Sequence, residues 1–105
     1  MMPNCRGTVL YWLGERRADG YASSSDMARF FREKCRTTQN PTINDIVAWY
    51  PGVMERNNGR VLHVGLVESL NPNMVRSRLD SNGPIRTLQE DTVMRAINYL
   101  EPNLF

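Results

Sequence analysis

The chain has 105 residues, the length of one domain. Hydrophobic residues make up 41% and charged residues 23%, ordinary proportions for one packed core. A net charge of +2, from 13 basic and 11 acidic residues, leaves no nucleic-acid footprint, and no apolar run approaches the ~20 residues that span a bilayer.

Met1 through Asn4 have neither the basic nor the apolar segment of a secretory signal. Asn4 to Leu13 reads as a short helix, with Asn4 as N-cap, Gly14 just past its end, and Val9, Trp12 and Leu13 on its buried face. Gly7 in its first turn costs up to ~1 kcal/mol of helix propensity, which suggests a packing or access role. Residues 14–24 form a polar loop. A second helix follows over Asp26 to Cys35, with Met27, Phe30 and Phe31 on one face. Cys35 lies four residues beyond Phe31, in the position of a small buried hydrophobe.

After a linker over Thr37 to Asn40, closed by Pro41, the pattern turns to strands. Ile43 to Tyr50 is β-rich and stops at Pro51-Gly52. Asn57-Asn58-Gly59 signals a turn, and Arg60 to Ser69 is the clearest strand. Asn71-Pro72-Asn73 turns the chain so that Met74 to Asp80 returns antiparallel, until Asn82-Gly83-Pro84 breaks it. Thr87 and Glu90 form a capping box for a last helix over Leu88 to Leu100, with Val93, Ile97 and Leu100 as its buried stripe. The fold class expected is α+β, with N-terminal helices packed on a small antiparallel sheet and a C-terminal helix.

Cys5 falls in the first turn of the first predicted helix. Unpaired N–H groups and the helix dipole there favour a thiolate and can hold an oxyanion. Gly7 would keep that helix end open to a substrate. His63 is the only histidine. It shares a strand face with Val61, Gly65 and Val67, and Gly65 leaves space beside the imidazole for a nucleophile from another element. If Asn71-Pro72 centres the hairpin turn, Ser69 pairs with Met74 and His63 stands across from Asp80, a candidate to orient the imidazole. A slip or bulge near the proline brings Asn82 or Arg78 there instead. Taken singly, Cys5 reads as a structural cysteine, His63 as a half-buried histidine and Asp80 as a turn residue.

Pro41-x-x-x-Asp45-Ile46-Val47-x-Trp49, then Gly59 and His63-Val64-Gly65-Leu66-Val67, resembles the central hairpin of the NlpC/P60 peptidases. Asn4-Cys5-x-Gly7-Thr8-x-Leu10 resembles their nucleophile helix. The similarity covers roughly residues 4–82. It implies a papain-like core in a single cysteine hydrolase domain over residues 1–105. It also implies cleavage of a peptide amide, usually in bacterial cell-wall stem peptides, with Cys5 as nucleophile and His63 as base. Where the family carries a His, Asn or Gln as third residue, Met74 to Arg78 offers none, and Asp80, Asn82 or no third residue all stay open. An effector-type deamidase or acyltransferase acting on a protein would use the same pair. The alternative of another class is a non-catalytic interaction domain on the same scaffold, in which Cys5 is merely a helix-start residue and arginines bind a partner. A protein target or an inhibitory partner is a further expectation.

The chemistry implied needs no cofactor. One His and no Cys-x-x-Cys pair make a poor zinc site. A Cys5–Cys35 disulfide would consume the nucleophile. Arg16-Arg17 and Arg76, Arg78 and Arg86 are candidates for an anionic ligand, against the commoner role of surface arginines. A peptide or peptidoglycan substrate is the expected partner, with no nucleic acid and no membrane. A cell-wall substrate would place the protein in the periplasm or outside the cell.

Overall fold

A computed structural model describes residues 2–90 and 96–103 of the chain. Three helices and six strands follow in the order α1 (Cys5–Trp12), α2 (Ser24–Lys34), β1 (Cys35–Thr38), β2 (Ile46–Tyr50), α3 (Val53–Asn57), β3 (His63–Ser69), β4 (Met74–Arg78), β5 (Ile85–Gln89) and β6 (Ala96–Pro102). The strands form one sheet in the order β1-β6-β2-β3-β4-β5, and every neighbouring pair is antiparallel.

This overturns the α+β expectation, the papain-like core and the C-terminal helix. The molecule is mostly sheet, and of the three helices among the described residues only α1 and α2 reach seven residues. The segment predicted as the last helix instead ends β5 and forms β6 between β1 and β2. Its residues carry two periodicities at once. Ile97 and Leu100 fit a helical stripe, but Ile97 and Tyr99 also alternate with Asn98 and Leu100. In the sheet, Ile97 and Tyr99 pack on Val47 and Trp49, while Leu100 joins the core on the opposite face. The capping-box residues have other work. Thr87 donates to Glu68, and the Glu90 carboxylate accepts from Tyr99 and Asn73. Val93 lies outside the described residues.

Nearer the N-terminus, α1 begins as its sequence indicates. Asn4 Oδ1 accepts from Gly7 N at 2.8 Å, and Gly14 takes φ +78° just past the end. α2 starts two residues before the predicted Asp26, because Ser23 and Asp26 form a reciprocal capping box. It stops at Lys34, and Cys35 opens β1 rather than closing the helix. β2 starts at Ile46 rather than Ile43, since Asn44 holds a positive φ and Asp45 turns back to accept from Thr42 N. A single helical turn, α3, precedes the Gly59 turn.

Two apolar cores flank the sheet. On one face Val9, Leu10, Met27 and Phe30 pack against Ile46, Ala48, Tyr50, Val64, Leu66 and Leu100. On the other, Val47, Trp49, Val67 and Val75 cluster with Ile97 and Tyr99. The strict alternation along β2 explains why all five of its residues are buried.

Candidate functional site

The start of α1 is tied down from several sides. Asn4 Oδ1 also accepts from Ala22 N, Asn4 Nδ2 donates to Ala22 O at 2.9 Å, and Asn4 N donates to Gly20 O. A Cβ on Gly7 would stand 1.7 Å from Gly20 O, so this glycine lets the 20–22 loop press on the helix. That replaces the expected access role: Gly7 is buried under protein rather than open to a substrate. On the sheet side, Arg78 Nε donates to Thr8 Oγ1 at 2.8 Å, while its Nη2 meets Asp19 Oδ2 at 2.7 Å and its Nη1 meets Gly83 O at 2.6 Å. Asn82 N donates to Pro3 O. Helix, loop and strand end are thus joined where Cys5 sits.

The β3–β4 pairing runs as far as Leu66 and Arg76. Beyond it the Cys5 sulfur lies against the Val64 N–H, one residue along from His63. Cys5 and His63 line the same cavity, of about 450 Å³, together with Trp49, Ser77, Asp80 and Arg6. The imidazole lies beside the Trp49 ring, with centroids 5.3 Å apart and the planes tilted by 34°. His63 Nε2 lies 2.9 Å from Ser77 Oγ. Among the described residues no hydrogen bond engages Nδ1. For Nδ1 to accept a proton, Nε2 must carry the hydrogen and donate it to Ser77 Oγ.

The side chain hydrogen-bonded to the His63 ring is Ser77, in place of the expected Asp80. Ser69 does pair with Met74, but the register shifts between Val67 and Ser69, so Val67 pairs with Val75 and Leu66 with Arg76. That one-residue bulge changes which β4 residues share the His63 face. Ser77 becomes a diagonal neighbour, and its buried hydroxyl is satisfied by the ring. Asp80 has left the strand at φ +60°. It still lines the cavity, and its charge favours the imidazolium. Gly65 plays a part the sequence did not suggest. A Cβ there would stand 2.6 Å from Arg76 O and 3.0 Å from Ser77 Cβ. The missing side chain lets β4 approach, rather than leaving room for a nucleophile.

Burial favours the neutral form of both Cys5 and His63. Burial pushes the Cys5 thiol above its usual value, and this outweighs the lowering by the Arg6 charge and the N–H groups of Val64, Arg6 and Cys5. The helix start lowers the thiol as expected, but burial reverses the net sign. Burial also pulls His63 below its usual value, helped by Arg6 and opposed by Asp80. Neither cysteine is in a disulfide, and burial drives Cys35 up to about 12. Among the described residues no cluster of three or more His, Cys, Asp or Glu side chains is arranged to hold a metal. No helix there is long and apolar enough to cross a membrane.

Of the arginines singled out by sequence, Arg78 is committed to Asp19 and Thr8, and Arg16 pairs with Asp26. Arg76 lies over the Trp12 ring, and Arg86 is exposed on β5. Arg6, beside the thiol, is the arginine on the cavity. Its position next to Cys5 was the available signal. Comparison with protein-family models, with curated proteins and with solved structures gives no match to this chain.

Proposed function

We propose that the protein is a cysteine hydrolase that cleaves an amide bond, with Cys5 as nucleophile, His63 as base and Ser77 as the residue that orients His63. The observation that carries this reading is the convergence of the Cys5 thiol and the Ser77-held imidazole on one cavity.

His63 Nδ1 takes the thiol proton as sulfur bonds to the substrate carbonyl carbon. The carbon–nitrogen bond then breaks, and the amine leaves with that proton, giving a thioester on Cys5. Water attacks the thioester, His63 accepts its proton, and the carboxylic acid departs as the proton returns to sulfur. The N–H groups at the start of α1 and of Val64, which already face the sulfur, are placed to stabilise the oxyanion. The NlpC/P60-like motif makes a bacterial cell-wall stem peptide the first substrate to assay.

Thiol reactivity tests the pair without a known substrate. Cys5 is expected to react with iodoacetamide near neutral pH much faster than Cys35, and His63→Ala is expected to slow Cys5 alone. Equal, slow labelling of both thiols, or no effect of His63→Ala, overturns the reading.

A further inference from the structure

Arg6 occupies the second position of α1, next to Cys5. Its Nε donates to Ala22 O at 2.9 Å, which fixes the side-chain stem, and the residue lies on the cavity wall. It is half-buried. Yet among the described residues the ion pairs engage Arg16, Arg29, Lys34, Arg36 and Arg78, and none engages Arg6. Asp80 lines the same cavity without meeting it. A half-buried guanidinium with no anion beside it gives up hydration and gains no ion pair in return.

A guanidinium fork matches a carboxylate in shape as well as charge. The other walls are largely apolar, formed by Trp49, Leu62, Val75, Leu79 and Leu88. Resting on the hydrolase reading of the same cavity, we propose that Arg6 is a substrate-binding residue that holds a carboxylate. The substrates would then be acyl compounds with a free carboxylate near the scissile carbonyl and an apolar group against the Trp49 wall. Asp80 repels an anion placed beside itself, which leaves Arg6 as the group on the cavity able to hold one.

Iodoacetate and iodoacetamide form the same sulfur–carbon bond with loss of iodide and differ mainly in charge, so they test this on Cys5 itself. The rate ratio of the two reagents cancels any change in thiol reactivity that a substitution causes. The ratio for acid over amide at Cys5 is expected to be about tenfold higher in the wild type than in Arg6→Gln, the scale of one charge-assisted contact. An unchanged ratio overturns the proposal. A measurement on the wild type alone covers the case in which Arg6→Gln does not fold. There 3-phenylpropionate should protect Cys5 from iodoacetamide and 3-phenylpropionamide should not, while equal protection by both refutes the carboxylate site. His63→Ala separates this proposal from the hydrolase reading. If it leaves labelling unchanged while Arg6→Gln still lowers the ratio, the anion site stands and the hydrolase falls.

Discussion

Replacing Ser77 with Ala removes the hydrogen bond at His63 Nε2, through which the proposed mechanism fixes the tautomer. In the proposed mechanism the wild-type ring donates through Nε2 and keeps Nδ1 as the base. A neutral hydrogen bond of this kind is worth about 1 kcal/mol net, which is roughly fivefold in the tautomer ratio. Cys5 labelling at pH 7, and hydrolysis once a substrate is known, should therefore fall about three- to tenfold. The ring nitrogen also loses its partner in a half-buried setting, which costs about 1–3 kcal/mol of stability. For a domain of this size each kcal/mol corresponds to a fall in Tm of about 5 °C. Because His63 is the only histidine, nitrogen NMR of the imidazole reads the tautomer without assignment. Wild type should show the Nε2–H form, and Ser77→Ala a mixture. A folded Ser77→Ala protein with the wild-type tautomer and labelling rate would refute the orienting role.

Gly65→Ala should act through the same contact from the other strand. Its Cβ meets Arg76 O at 2.6 Å, so β4 must move, at a cost of about 1–3 kcal/mol and with loss of the His63–Ser77 bond, visible as a lower Tm and the same tautomer mixture. Asp80→Asn should lower the His63 pKa further, since the Asp80 charge favours the imidazolium, and the acid limb of Cys5 labelling should move to lower pH. Stability should fall at both pH extremes. His63, depressed by folding, contributes fully above its ordinary 6.5, and this is lost as pH drops from there towards the lower folded value. Cys35 and Tyr99, both raised to about 12, contribute below their ordinary values of 9.0 and 10.0, and this is lost as pH climbs towards 12. Denaturant titrations across pH check both limbs, and a flat profile contradicts the burial of these groups.

The sequence carried α1 almost whole, because its signals are local. Asn4 caps and Gly14 ends α1 through contacts within three or four residues. The β3–β4 hairpin was also legible, down to the Ser69–Met74 pair. The bulge that follows was not, because nothing in Val67-Glu68-Ser69 marks one extra residue. That single residue decides whether Ser77 or Asp80 reaches the imidazole. The C-terminal strand was hidden for a different reason. Ile97 and Leu100 satisfy both a helical and a strand period, and the gap between β1 and β2 that selects the strand is a property of the assembled sheet. Arg6 was overlooked because a basic residue on a short helix reads as solvated until the cavity beside it is seen.

The protonation state of the pair follows from the same difference between local and assembled structure. A helix start alone argues for a standing thiolate, and a thiolate would hold His63 as imidazolium. In the fold, burial acts on both groups in the opposite sense, raising Cys5 and lowering His63. Both shifts favour the neutral forms, so that in the proposed mechanism the nucleophile forms only as His63 takes the proton. The two descriptions give different pH profiles. A standing ion pair labels at a constant rate down to the low pKa of its thiolate. The neutral pair labels through the base form of His63, so its rate should fall as pH drops below 6.5 through the depressed His63 pKa, and His63→Ala should remove that limb. In His63→Ala the residual labelling should rise with pH towards the raised value of the thiol, above 9.0. Rapid labelling of that variant at pH 7 would mean that the start of α1 alone holds a thiolate, and that burial is weaker than the packing around Cys5 implies.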